Sequence, residues 1–323
     1  MMVMFLGAVL SKQALAEPNV ILITFDGVRP QEFFDPVNLP YFWSKLADEG
    51  VVFGKKEVGS QMTVSNTANI SLPGYMSIMA GATTPCVTNH CARTSDETLG
   101  ERLVRELKLK REQVASISSW KKIPLAFESR EGTTFTNGGF DALNDGAEDD
   151  AELEAINAAQ VSDIPTWQEN RFDKYTYAHA MRYLKRHRPR FLYISINDTD
   201  DWAHNGDYPR YLESMRVYDG WLREIVETLE SMGGYGKETT ILLSTDHGRG
   251  DGENWKHHSS TLPESRDIFL YARGPRTATT GIVQGGPAYS HSDIRPTIEA
   301  LFGLNPLSCE SCGKPITSIT NRQ

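Results

Sequence analysis

The chain has 323 residues, enough for one large α/β domain or two small ones. With 39% hydrophobic and 23% charged residues it fits a soluble globular protein. A formal net charge of −9 argues against a general nucleic-acid binder, which would carry a basic face, but leaves an anionic substrate open, because bound metal ions invert the local field.

The N-terminus comes first in chain order. Met1 to Leu10 is apolar and uncharged, and Ala14-Leu15-Ala16 supplies a small-residue cleavage pattern. The run is too short to span a bilayer. Residues 1–16 therefore read as a removed signal peptide rather than a membrane anchor, although the usual basic start is missing and an ordinary apolar strand is the alternative. The mature chain, 17–323, is then expected in a periplasm or outside the cell as a single domain. Four cysteines agree with export. Cys86 with Cys91 and Cys309 with Cys312 form two local disulfides in an oxidising compartment; a zinc site built from all four is the competing reading.

Asn19 to Phe25 (NVILITF) reads as a buried parallel strand that stops at Asp26-Gly27. An aspartate at a strand's carboxyl end is either a ligand or part of a plain Asp-Gly turn. Leu39 to Glu49 has helical spacing and stops at Gly50, and Val51 to Phe53 begins a strand. After the polar loop Gly59 to Asn69, a helix starts near Pro73 with Ser71 at its N-cap. A serine there has a plain structural job. The same helix end also favours a bound phosphate, and a metal would make the hydroxyl a nucleophile. Asn89 lies between Cys86 and Cys91, held where its amide could donate to a substrate oxygen, or serving only as a turn residue.

Asp96 to Leu109 is an amphipathic helix with Leu99, Leu103 and Leu107 four apart, and Val114 to Ile117 is a strand. Residues 129–167 are rich in Gly, Asp, Glu and Asn at their start and read as a surface insertion or cap, with the acidic run as a solvated face. Phe172 to Arg186 is helical, with His179 a packing or surface residue. Phe191 to Ile196 (FLYISI) is another buried strand, followed by Asn197 to His204. Tyr211 to Met232 is a long helix in which Asp219 faces solvent or caps a neighbour. Thr240 to Leu243 is a strand that stops at Asp246-His247-Gly248-Arg249-Gly250. A carboxylate beside an imidazole suits a divalent metal such as zinc. Trp255 to Ser259, a strand at Ile268 to Tyr271 and a helix at His291 to Leu301 complete the chain. Alternating strands and helices predict a mostly parallel sheet with helices on both faces.

Asp26, Asp200 and Asp246 all follow strands, His204 and His247 sit at short spacing from them, and Ser71 begins a helix. This suffices for two divalent metals. One would take Asp26, Asp246, His247 and Ser71. The other would take Asp200, His204 and His258, with a position open for water or substrate. Two metals about 4 Å apart suit in-line displacement at phosphorus.

The pieces Phe25-Asp26-Gly27, Ile70 to Tyr75, Thr199 to His204, Thr245 to Gly248 and Trp255-x-x-His258 together resemble the alkaline phosphatase superfamily, and are most similar to its type I phosphodiesterase/nucleotide pyrophosphatase branch. The resemblance implies an α/β/α sandwich of the alkaline phosphatase type around a mostly parallel sheet. It implies two divalent metal ions, zinc first, and a covalent phospho-enzyme at Ser71, with Asn89 holding a phosphate oxygen. The expected function is an exported hydrolase of small phosphate esters. A phosphonate or sulfate ester hydrolase, a phosphoryl transferase on the same site, or an inactive secreted metal-binding protein are the alternatives. The branch usually has threonine as its nucleophile. His257, His258 and His291 compete as third histidine, with His258 preferred because it precedes the strand at 268–271. Sulfatases carry arginine where this chain has Tyr75, which argues against a formylglycine enzyme. Substrate identity and oligomeric state are not legible.

Overall fold

A computed structural model describes residues 17–147, 150–167 and 169–321; the expected signal peptide, 1–16, lies outside them. The strands are β1 (Asn19–Phe25), β2 (Val51–Phe53), β3 (Met62–Thr63), β4 (Val114–Ser118), β5 (Phe135–Gly138), β6 (Phe191–Ile196), β7 (Thr239–Ser244), β8 (Leu270–Arg273), β9 (Gly281–Ile282) and β10 (Tyr289–Ser290). The α-helices are α1 (Pro30–Phe33), α2 (Ser71–Ala80), α3 (Leu99–Leu107), α4 (Ile123–Phe127), α5 (Ala151–Ser162), α6 (Asp173–His187), α7 (Asp198–His204), α8 (Tyr208–Ser231), α9 (Gly234–Lys237), α10 (Ile294–Leu301) and α11 (Thr317–Thr320).

The layering follows from β1. All seven of its residues are buried, as a strand covered on both faces requires. Its side chains alternate between two apolar clusters. Ile21, Ile23 and Phe25 meet Tyr183 and Leu184 of α6 and Tyr218 and Leu222 of α8. Val20 and Leu22 meet Leu72 and Ile78 of α2, Leu103 of α3 and Ile298 of α10. The eight-stranded sheet runs β5-β4-β6-β1-β7-β8-β2-β9. It is parallel from β5 through β7, and β8 is antiparallel to both neighbours. This is the mostly parallel α/β/α sandwich that the alternating pattern predicts.

Register places the site. Phe25 pairs with Ile196 and Thr24 with Ser244, so β1, β6 and β7 end at one level. Asp26, Asn197 and Thr245 therefore leave the sheet side by side, at the carboxyl edge where open α/β sheets bind ligands.

The structure departs from the sequence reading at some elements and agrees with it at others. Segment 129–167 is not merely a surface excursion, since Phe135–Gly138 pairs with β4 as the sheet's edge strand. Two of its acidic residues are partnered, Arg182 bonding Asp145 at 3.1 Å and lying 2.8 Å from Asp150, while Asp141, Glu152 and Glu154 are exposed; of the acidic run 148–150, residues 148 and 149 lie outside the described residues. Leu39 to Glu49 forms a π-turn at Phe42–Leu46 and a 3-10 turn at Ala47–Glu49 rather than a regular α-helix. Asp219 is buried and caps this neighbour, accepting from the backbone N–H groups of Tyr41 and Phe42 at 2.7 and 2.8 Å. The last long strand begins two residues late, because the Ile268 N–H is engaged by the Met62 carbonyl at 3.1 Å before the chain reaches β7. His179 is a buried packing residue, and burial, with Arg171 and then Arg182 beside it, pushes its pKa down to about 3. Both local disulfides, Cys86–Cys91 and Cys309–Cys312, are formed. Among the described residues no helix is long and apolar enough to cross a membrane.

Candidate metal centre

The sheet edge delivers each candidate ligand from a different loop. Asp26 directly follows β1. Its Oδ2 accepts from the Tyr75 hydroxyl at 2.7 Å, and the Thr199 hydroxyl donates to its carbonyl at 2.6 Å, tying β1 to α7. Within α7, Asp200 and His204 are four apart and share a face; His204 Nε2 lies 3.2 Å from Asp200 Oδ2. Asp201 points elsewhere, its Oδ2 held by the amides of Asn170 and Asn197 at 2.7 and 3.0 Å. Geometry thus separates Asp200 from its neighbour. Asp246 follows β7, and its Oδ1 accepts from the Gly27 N–H at 3.0 Å.

Histidines converge from two sides. His247 is fully buried, and its Nδ1 is fixed by the Gly248 carbonyl at 2.9 Å, which turns Nε2 into the site. That nitrogen lies 3.4 Å from Asp246 Oδ2, 3.7 Å from Asp26 Oδ1 and 3.9 Å from Asp200 Oδ1. His258 is oriented the same way by the Asn69 carbonyl, 2.8 Å from its Nδ1. Its Nε2 lies 3.1 Å from His204 Nε2 and 3.9 Å from Asp200 Oδ1. The rings of His247 and His258 stack with centroids 3.7 Å apart. His257 is exposed, and His291 turns its Nε2 to the Thr245 carbonyl at 2.9 Å. Of the three competing histidines, His258 is the one that meets the carboxylates.

Two groups of side chains could each hold a metal ion: Asp26, Asp246 and His247, and Asp200, His247 and His258. His247 belongs to both, where the sequence reading assigned it to one. The donor chemistry fits a divalent cation. Asp26 Oδ1 and Asp246 Oδ2 are buried carboxylate oxygens with no hydrogen-bond donor, an arrangement that is costly unless a cation meets them. In the metal-free chain, burial and then the Asp246 charge hold Asp26 well above the usual carboxylate range, and burial raises Asp246 to about 7. Burial pushes His247 down, and burial followed by His247 pushes His258 well down. Both imidazoles are therefore neutral and able to donate a lone pair.

Ser71 is the first helical residue of α2, with Ile70 as the N-cap, one position earlier than the sequence suggests. Its side chain is free of a capping bond, and its Oγ lies 3.3 Å from His247 Nε2. Asn89 plays the structural part instead: its Oδ1 accepts from the Leu72 N–H at 2.9 Å, so the stapled loop caps α2 and keeps the Asn89 amide group beside Ser71. The helix packs against the end of β7 so closely that a Cβ on Gly74 would lie 2.5 Å from the Asp246 carbonyl oxygen.

Over residues 112–300, more than half of the chain, the sequence matches the family described as Type I phosphodiesterase / nucleotide pyrophosphatase. The chain belongs to this family. As a phosphodiesterase-family protein it falls among the alkaline phosphatase superfamily hydrolases of phosphate and sulfate esters. The matched residues include Asp200, His204, Asp246, His247 and His258; Asp26, Ser71 and Asn89 precede them.

No curated protein matches the chain by sequence. Among solved structures, a putative sulfatase from Bacteroides thetaiotaomicron shares the fold with a TM-score of 0.65 at 12% identity, covering 95% of this chain and 75% of its own. A protein in the alkaline phosphatase superfamily from Vibrio parahaemolyticus gives 0.58 at 15%, covering 92% and 72%. A phosphonate monoester hydrolase from Silicibacter pomeroyi gives 0.55 at 13%, covering 94% and 77%.

Two residues of the site escape sequence reasoning. Tyr75 shows in the sequence only as the residue standing where a sulfatase has arginine, yet it donates to Asp26. Arg249 reads as part of a glycine-flanked turn, yet its side chain is fully buried against Asp200. An arginine enclosed by two glycines immediately after Asp-His was the available signal.

Proposed function

We propose that this phosphodiesterase-family chain is an exported, two-metal hydrolase of small phosphate esters that acts through Ser71. One divalent metal, zinc by the nitrogen and oxygen donor set, is assigned to Asp26, Ser71, Asp246 and His247. The second is assigned to Asp200, His204 and His258. The observation that carries the reading is the pair of donorless buried oxygens, Asp26 Oδ1 and Asp246 Oδ2, converging on His247 Nε2 beside the Ser71 hydroxyl.

When bound, the metals supply Lewis acidity to the phosphoryl oxygens and to the attacking and leaving oxygens. Ser71 Oγ, at the positive end of α2, attacks phosphorus in line. A new P–O bond forms to Ser71 as the bond to the leaving alcohol breaks, and the alcohol departs with a proton. The amide of Asn89 donates to a phosphoryl oxygen and holds the group for attack. Water then cleaves the phosphoseryl bond and restores the Ser71 hydroxyl. His247 and His258, kept neutral by burial, retain their orientation through the Gly248 and Asn69 carbonyls. The two disulfides and the apolar start of the sequence support export.

The test is to purify the mature chain, count bound metal, and assay p-nitrophenyl phosphate, bis(p-nitrophenyl) phosphate, p-nitrophenyl phenylphosphonate and p-nitrophenyl sulfate with and without chelator. The reading expects two metals per chain, turnover of a phosphate ester ahead of the sulfate, and loss on chelation. Absence of divalent metal, or preference for the sulfate ester, overturns it.

A further inference from the structure

Arg249 is a long cation with no access to solvent or substrate, its side chain fully buried. Its guanidinium reaches the segments that carry Asp26, Asp200 and His258. Nε donates to the Gly27 carbonyl at 3.0 Å, one residue beyond Asp26. Nη1 donates to the Lys256 carbonyl at 2.9 Å, two residues before His258. Nη2 donates to the Asp200 carbonyl at 3.2 Å and to Asp200 Oδ1. The arginine itself lies two residues after His247. Among the described residues Asp200 is the carboxylate it pairs with. The seat is tight: a Cβ on Gly27, whose φ is +62°, would lie 2.6 Å from Asp200 Oδ1 and 2.9 Å from Arg249 Nε.

This contact divides the two oxygens of Asp200. Oδ1 pairs with Arg249 and lies 3.9 Å from both His247 Nε2 and His258 Nε2, while Oδ2 lies 3.2 Å from His204 Nε2. We propose that Arg249 is a positioning residue for the metal assigned to Asp200, His204 and His258: by holding Oδ1 it fixes the Asp200 carboxylate with Oδ2 toward His204 and Oδ1 on the His258 side, and it sets the distance between the loops bearing the two metals. A planar guanidinium with several fixed donors does this, and an ammonium does not, because a single point charge does not bridge three carbonyls and a carboxylate at once. Outer partners of this kind orient the ligands they touch, and their removal typically lowers metal affinity by about 10- to 100-fold. The proposal rests on the two-metal reading above.

The test compares wild type with Arg249→Gln and Arg249→Lys. Zinc bound per chain is measured by elemental analysis across a series of buffered free-zinc concentrations, and thermal melts report folding. Wild type is expected to bind two zinc ions. Arg249→Gln is expected to retain one at wild-type affinity and to bind the second about 10- to 100-fold more weakly, with Arg249→Lys restoring little of the loss. Unchanged binding of both ions in a folded variant overturns the proposal, as does parallel weakening of both, which marks a general structural role. If Arg249→Gln does not fold, Arg249→Lys carries the same comparison; if neither folds with zinc present during refolding, Arg249 is a structural residue and the proposal falls. A wild type that binds fewer than two ions sinks the two-metal reading, whereas a two-zinc wild type with unperturbed variants sinks only the role of Arg249.

Discussion

Acidification is expected to weaken metal binding, and the buried carboxylates set how steeply. Burial raises Asp246 to about 7 in the metal-free chain, and burial with the Asp246 charge raises Asp26. A raised value means that the site holds a proton below pH 7 which an entering cation must displace. His247 and His258 are both pushed down by burial, so they hold a proton less readily than a free imidazole. Each displaced proton costs about tenfold in apparent affinity, roughly 1.4 kcal/mol, for every unit below pH 7. Between pH 8 and pH 5 the proton of Asp246 alone then weakens binding about 100-fold, and that of Asp26 adds to it. The linkage has the same sign in stability. A carboxyl with a raised folded pKa stabilises the metal-free fold at low pH and loses that contribution as the pH rises through about 7. The metal-induced rise in Tm must therefore grow from pH 5 to pH 8. Calorimetric zinc titrations in buffers of differing ionisation enthalpy count the protons released: about one or more at pH 6, falling as the pH rises through about 7. A flat affinity from pH 5 to pH 8 with no proton release refutes the reasoning.

Other expectations follow from individual contacts. Tyr75→Phe removes the donor to Asp26 Oδ2; leaving that buried oxygen unpaired is expected to destabilise the metal-free chain by about 1.5–3 kcal/mol in a urea melt, and unchanged stability would contradict it. Gly74→Ala places a Cβ against the Asp246 carbonyl and must shift α2, so kcat/KM is expected to fall by about 100-fold, the scale of a 1 Å misplacement of a reacting group; steady-state kinetics at saturating zinc check this, and wild-type turnover would show that the helix position does not matter. Replacing Cys86 and Cys91 together by serine opens a small loop. On the chain-entropy model this costs about 2 kcal/mol, and it loosens Asn89, so kcat/KM should fall while the zinc content stays at two. Activity equal to wild type would remove Asn89 from the account.

Much of the architecture is legible from local pattern. NVILITF, FLYISI and TTILLS read as buried strands because both faces of a central parallel strand are apolar, and their abrupt polar endings mark the carboxyl edge. Asp26, Asp246, His247, Asp200 and His204 stand out for the same reason, each being a side chain of a type that can bind a metal, placed just past such an ending. What stays hidden depends on contacts distant in sequence. Asp200 and Asp201 are equivalent as letters; only the amides of Asn170 and Asn197 show which one turns away. The edge strand Phe135–Gly138 is masked by its glycine and asparagine content, since an edge needs less apolar sequence than the centre. Tyr75 and Arg249 acquire their roles from side chains 49 residues apart in each case, which no short-range periodicity encodes. His258 is separated from His257 only by the Asn69 carbonyl that aims it.

The central claim is that Ser71 becomes phosphorylated during turnover. Zinc-loaded wild type, acid-quenched during turnover of a phosphate ester chosen for slow hydrolysis of the intermediate, should carry one phosphoryl group on the peptide that contains Ser71, read by tandem mass spectrometry. Ser71→Ala should lack both the adduct and turnover while still folding. Steady turnover by Ser71→Ala at the wild-type rate, with no adduct in wild type, contradicts the account.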